Sequence, residues 1–288
     1  MLQLIRSAAP EPYPVLLLGA SGTGKELAAR ELHLLSGVKG PFVEVNCGAI
    51  AESLLESELF GHRKGAFTDA KDNHAGAFAR ADGGVLFLDE IADMPARIQA
   101  AVLRAISESR IRPVGADADV DVRVRIIAAT NADLDALVRM GRFREELLTR
   151  LDVIRITVPP LSERREDIAD IARMIAAGNT IELAACVFPF LETLEFRGNV
   201  RGLRNLLVRT RVFRQNPVTA AKLKAEIAAN PTSAMPAMPG TLHEAVAWAR
   251  DTTIRRALAA TGGNIAEAAR LIGIRRQALH GYLKRHPD

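Results

Sequence analysis

Two short runs in this chain carry residue types suited to phosphate chemistry. The first is Gly19-Ala20-Ser21-Gly22-Thr23-Gly24-Lys25-Glu26, which follows the apolar run Val15–Leu18 and opens a helix-like stretch. Glycines at this spacing let the backbone curl so that successive N–H groups face one anion, and the start of a helix adds a favourable field. Lys25 would reach the outer phosphates of ATP. A glycine-rich turn is the plainer alternative, but strand, glycines and lysine in this order argue for a phosphate loop. Position 26 is Glu, where phosphate loops generally carry a Ser or Thr that ligates Mg2+. The second run is Gly83-Gly84-Val85-Leu86-Phe87-Leu88-Asp89-Glu90, a buried-strand pattern ending in two carboxylates. Asp89 would hold Mg2+, directly or through water, and Glu90 would polarise an attacking water. Alone, such a pair could simply cap the next helix. Beside a phosphate loop it reads as the hydrolytic half of the site.

These groups need a scaffold that ends its strands at one edge. Apolar runs recur at Val15–Leu18, Phe42–Val45, Val85–Leu88, Val124–Ala128 and Val153–Val158, with helix-like stretches such as Lys25–Leu35 and Ile98–Ser107 between them. Continuous apolar strands separated by helices predict an α/β domain, a parallel sheet with helices on both faces. Ligands are expected at the C-terminal ends of its strands. The expected organisation is an α/β subdomain over residues 1–160 and an α-helical one over 161–214. A Pro-, Ala- and Asn-rich linker over 215–240 follows, with one weak helix at Ala220–Ala229, and then a helical domain over 241–288.

Composition bounds the alternatives. Hydrophobic residues make up 48% and charged residues 25%, as in ordinary globular proteins. Cys47 and Cys186 are too few and too far apart for a disulfide framework or a metal motif. No apolar run is long enough to span a membrane, and Tyr13–Gly19 reads as a strand and not a signal peptide. The expected location is cytoplasmic. Residues 241–288 hold 8 Lys and Arg against 4 Asp and Glu, so the whole net charge of +4 falls there and the rest is balanced. That asymmetry points weakly to nucleic acid, and a solvated basic helix would explain it equally well.

With these motifs in order, the chain from about Leu4 to His286 resembles the bacterial sigma-54-dependent transcription activators, whose central module is a P-loop AAA+ ATPase. Gly19–Glu26 is similar to that family's phosphate loop, Glu included. Phe42–Cys47 and Glu52–His62 are similar to its signatures, and Gly83–Ile91 to its second ATP motif. Arg125–Asn131 resembles the sensor I strand, Phe143–Leu151 the arginine-finger segment, and Gly198–Arg201 the sensor II motif. The resemblance implies a ring, usually a hexamer, with ATP between neighbours and with Arg144 and Arg150 reaching the neighbouring site. Asn131 would sense the γ-phosphate, Arg201 would link the helical lid to the nucleotide, and Asn46 would restrain Glu90. The family touches sigma-54 RNA polymerase through a loop ending Gly-Ala-Phe-Thr-Gly-Ala. Here Gly65-Ala66-Phe67-Thr68-Asp69-Ala70 puts Asp69 at the second glycine. A side chain strains a left-handed position, although Asp tolerates it better than most residues. The alternative reading is therefore a regulator that binds nucleotide and DNA but has lost the sigma-54 contact. The stretch between Asp167 and Gly198 reads as short, Phe196-Arg197 replaces a usual Trp-Pro, and Gly202 a usual Glu. The start of the ATPase domain reads as clipped, without a receiver domain before it.

Gly263 to Leu283 reads as a helix-turn-helix, with Asn264 as N-cap, Ala268 where helices cross and Gly273 at the turn. It resembles the Fis-like domain that ends many of these activators. Arg275, Arg276, Gln277 and His280 would face base edges of double-stranded DNA, and Lys284 a phosphate. A helical hairpin that binds nothing is the plainer alternative.

Overall fold

The computed structural model describes residues 1–67, 72–230, 235–236, 253–254, 257–258, 261–262, 264–274 and 276–285. The apolar runs become strands β1 (Val15–Leu18), β2 (Phe42–Asn46) and β3 (Val85–Asp89), then, past a short hairpin of β4 (Arg110–Ile111) and β5 (Val120–Asp121), β6 (Arg125–Thr130) and β7 (Ile154–Thr157). The sheet runs β2-β3-β6-β1-β7, and its pairings are parallel. Successive side chains on a strand point to opposite faces, so each run supplies two cores at once. Leu16, Val45, Leu86, Leu88 and Ala128 enter one core, while Val15, Leu17, Val85, Phe87, Ile127 and Ala129 enter the other.

Helices α1 (Leu2–Ala8) and α2 (Lys25–Ser36) cover the second face with Ile5, Ala8, Ala28, Ala29 and Leu32. The first face is covered by α3 (Glu52–Phe60), the one-turn α4 (Ala77–Arg80) and α5 (Ala96–Glu108). Past the exposed-backed turn of α6 (Leu134–Arg139), α7 (Glu145–Leu151) completes that layer. The buried positions of α5 are Ile98, Gln99, Val102 and Ala105, one stripe at helical spacing. A fully buried Leu of such a layer contributes about 1.5–3 kcal/mol.

The helical subdomain contains α8 (Ile168–Gly178), α9 (Val187–Glu192), α10 (Asn199–Arg214) and α11 (Ala220–Ala229). Its core joins Leu161, Ile168, Ala172, Leu191, Leu203, Leu206 and Leu207 to Val218 and Leu223. The first half of the stretch read as a linker, 215–240, therefore belongs to this subdomain. Thr219 caps α11 by accepting from the Lys222 N–H, and two apolar side chains anchor it, which Pro217 and the alanine-rich composition conceal. The chain divides into two compact units, Met1–Met235 and Pro236–Asp288.

In the second unit, Ile254, Ala257, Ala268, Ala269 and Leu279 form a core. Asn264 caps the helix Ile265–Leu271 by accepting from the Ala266 and Glu267 N–H groups. The following helix is Arg276–Arg285. No helix among the described residues is long and apolar enough to cross a membrane.

Candidate functional site

The phosphate loop leaves β1 at Gly19 and enters α2 at Lys25. Gly22 and Gly24 sit at φ 76° and 102°, backbone that L side chains rarely adopt. Gly24 is the N-cap of α2 and supplies no side-chain cap, so the first N–H groups of the helix stay available to an anion. Thr23 is buried, its Oγ1 donating to the Ala20 carbonyl at 2.9 Å. Lys25 is 6% exposed and donates to the Gly19 carbonyl at 2.8 Å. These bonds hold the loop closed on itself.

Parallel register places Asn46 opposite Asp89 at the ends of β2 and β3. Asn46 Oδ1 accepts from the N–H groups of Gly48 and Ala49, which aims its amide back at Asp89 Oδ2 at 3.4 Å. The contact made by Asn46 is thus with Asp89 and not with Glu90 itself. Asp89 Oδ1 accepts from the Glu90 N–H, and Glu90 is left-handed at φ 48°. Outside glycine such backbone is uncommon and collects at functional sites. Burial, followed by the Asp89 and Asp93 carboxylates, pushes the adjacent Cys47 thiol up to about 12.

A cleft of about 250 Å³ is lined by Ser21, Gly22, Lys25, Glu26, Asp89, Glu90, Arg201 and Arg204, among others. Both sequence motifs and the Gly198–Arg201 segment therefore meet at one place. Arg201 Nη1 donates to Ser21 Oγ at 3.1 Å. Glu26 lines the cleft but is engaged by Arg30, which pairs with it at 3.0 Å and with Glu44 at 2.8 Å while lying over the Phe42 ring. Burial first, then the Glu26 charge, raises the Glu44 carboxyl above its ordinary value.

The remaining expected residues stand outside this cleft. Asn131 is exposed just past β6. Arg144, the N-cap of α7, and Arg150, in its last turn, are also exposed. Sequence reasoning missed what holds Arg144. Gln99, fully buried, accepts from the Arg144 N–H and donates to the carbonyls of Met94 and Arg142. It also missed Arg164, Asn199 and Arg204. A polar residue on the buried stripe of α5 is the signal that could have found Gln99.

At the loop, Gly61 and Gly76 pack so closely that a Cβ on Gly76 would lie 2.2 Å from the Gly61 nitrogen. His62 and His74 exchange backbone hydrogen bonds there, and Ser57 Oγ lies 2.6 Å from His62 Nδ1. Gly65 has φ 83°, Ala66 N–H donates to the Arg63 carbonyl, and Phe67, 39% exposed, sets its ring edge-on to His62 at 4.8 Å. Thr68, Asp69 and Ala70 lie outside the described residues.

Residues 1–157 match the model of the sigma-54 interaction domain, and residues 253–286 match that of the Fis-family bacterial regulatory proteins. The Psp operon transcriptional activator of Escherichia coli K12 is 38% identical over 99% of this chain and 94% of its own length.

The chain belongs to the sigma-54-dependent transcriptional regulators.

Another member of the family, the transcriptional regulatory protein GlrR of Escherichia coli K12, is 40% identical over 99% of this chain. The chain spans 65% of that relative's length. Among solved structures, NtrX from Brucella abortus in complex with ADP is similar at TM-score 0.70 and 34% identity, over 99% of this chain and 67% of that one. The same protein in complex with ATP matches at TM-score 0.68 over 100% of this chain. The first unit thus has the family's AAA+ fold, and the second its Fis-like helix-turn-helix. In that unit Arg276, Gln277 and His280 are exposed on the second helix, while Arg275 and the Lys284 side chain lie outside the described residues.

Proposed function

We propose that the chain binds and hydrolyses ATP in the cleft between the phosphate loop, Asp89-Glu90 and Arg201, binds double-stranded DNA through its C-terminal unit, and uses hydrolysis in a ring oligomer to remodel sigma-54 RNA polymerase. The observation that carries this reading is the convergence of Lys25, Asp89, Glu90 and Arg201 on one cleft from three distant segments. Each has a task there. The backbone N–H groups of the loop and Lys25 bind phosphate oxygens as charge-assisted donors. Glu90 takes the proton of the attacking water. Arg201 adds positive charge from the lid.

The donor set fits a magnesium ion in one respect and departs in another. Asp89, at the strand end with acceptor capacity to spare, would hold it together with phosphate oxygens, while Glu26 is occupied by Arg30. Magnesium supplies neutralisation of the charge that develops on the phosphoryl group. Arg144 and Arg150, exposed and outside the cleft of their own subunit, act on the cleft of a neighbour. Mixing Lys25→Ala with Arg150→Ala subunits then restores part of the ATPase activity, because each supplies the half-site the other lacks. Absence of rescue in co-assembled mixtures would sink the shared site.

Asp69 favours a second reading, in which the polymerase contact is lost. A carboxylate at this position of the motif must be desolvated if it enters a tight contact, which is unfavourable without a cationic partner. The comparison is transcription from a sigma-54 promoter by the natural chain and by Asp69→Gly at matched ATPase rates. Output from the natural chain supports remodelling, and output from the glycine variant alone supports the second reading.

A further inference from the structure

A phosphate loop presents its N–H groups to the anion, so its carbonyls face the other way. In this chain three consecutive carbonyls of the loop are each taken by a donor from the helical lid segment, residues 161–214. Ser21 O accepts from Asn199 Nδ2 at 3.1 Å, Gly22 O from the Arg201 N–H at 3.3 Å, and Thr23 O from Arg164 Nη2 at 2.6 Å. The approach is close: a Cβ on Gly22 would lie 2.3 Å from the Gly198 carbonyl oxygen. Asn199 has a second bond, since its Oδ1 accepts from the Leu161 N–H at 2.8 Å. One amide therefore joins the phosphate loop, Leu161 at the entry to the helical subdomain and the start of α10. The side chain is 7% exposed, and its backbone is left-handed at φ 50°, which Asn accepts more readily than most residues.

We propose that Asn199 is a positioning residue that ties the lid to the carbonyl side of the phosphate loop, with Arg164 as a parallel tie, so that the occupant of the loop sets the lid's angle. The inference rests on the proposed nucleotide binding. Movement of the loop as its N–H groups close on a γ-phosphate displaces Ser21 O and Thr23 O, and both ties carry that displacement to the lid segment. Arg164 suits such a role by its geometry: its Nη2 donates to Thr23 O at 2.6 Å, while its buried Nε makes no hydrogen bond.

Two substitutions separate a tie from a merely structural role. Asn199→Gly accepts the left-handed backbone and removes both side-chain bonds. Asn199→Asp keeps the acceptor for Leu161 N–H and sets an oxygen against Ser21 O. Amide hydrogen exchange across 161–167 and α10 is measured on the whole chain with ADP and with a non-hydrolysable ATP analogue, alongside titrations with fluorescent forms of both. The natural chain shows protection that differs between the two nucleotides. Both variants reduce that difference, and adding Arg164→Ala to either abolishes it, while affinity in the Asn199 single variants falls by no more than about fivefold, the cost of one ordinary hydrogen bond. A nucleotide-dependent difference undiminished in Asn199→Asp and Asn199→Gly overturns the proposal. So does an affinity loss in both variants as large as that of Lys25→Ala, which would mean that Asn199 only shapes the loop. If the natural chain binds neither nucleotide, the proposed function fails and the tie fails with it.

Discussion

At the cleft, Lys25 is almost fully covered, and partners distant in sequence hold the surroundings, Asn46 against Asp89 and Asn199 against Ser21, while outside the cleft Gln99 holds the Arg144 N–H. In the C-terminal unit, Arg276, Gln277 and His280 stand exposed on one helix, backed by a core of five described side chains, three of them from the helix-turn-helix itself. The cleft orients its groups by tertiary register, so a change behind the site reaches the chemistry. The helix pair orients its groups by local sequence, so a change there stays local. Preorganised charge has to be buried and braced to be effective, whereas side chains that read a groove must reach out from their helix.

The largest effect expected from this contrast is at Glu90. Glu90→Gln lowers ATP turnover by roughly 10²–10⁴-fold while nucleotide and DNA affinity hold, as read by phosphate release and filter binding. Wild-type turnover in that variant would assign the base elsewhere. Next is Gln99→Leu, which keeps the volume but leaves the Met94 and Arg142 carbonyls and the Arg144 N–H without their partner. A loss of about 3 kcal/mol in urea unfolding is expected, with slower hydrolysis although Gln99 does not line the cleft. An unchanged midpoint and rate would show that Gln99 does not brace the Arg144 segment. Lys25→Ala weakens ATP binding by roughly a hundredfold through loss of a charged donor, and titration with a fluorescent analogue measures it.

On the other side of the contrast, Asn264→Ala removes a cap worth about 1 kcal/mol. It lowers the melting of the C-terminal unit and leaves ATP turnover untouched; a change in turnover would couple the two regions. The smallest effect is chemical. Burial favours the neutral Cys47 thiol, so its contribution to stability is complete below the ordinary thiol range and fades as pH rises toward about 12. At pH 8, alkylation followed by mass spectrometry should label exposed Cys186 and spare Cys47.

Much of the molecule was legible because its signals are local. A parallel strand buried on both faces is a continuous apolar run, and β1 at Val15–Leu18 and β3 at Val85–Asp89 lie where those runs lie. Gly22 and Gly24 announce a backbone that needs positive φ, and Asn264 stands where a cap must stand. Chain order also brought Lys25 and the Asp89-Glu90 pair to one sheet edge, because parallel strands place all their C-terminal ends together. The sequence therefore determined the class of fold, the sheet edge where the two motifs meet and the helix-turn-helix. Only the tertiary structure decided that Asn46 reaches Asp89, that Leu223 packs in the helical subdomain, and that Gln99 bonds Arg144, Arg164 bonds Thr23 and Asn199 bonds Ser21. Asn199 lies 178 residues from Ser21 and Arg164 lies 141 from Thr23, so no local pattern could reveal those pairs. A polar side chain becomes a brace only when folding removes water from it and leaves one partner within reach.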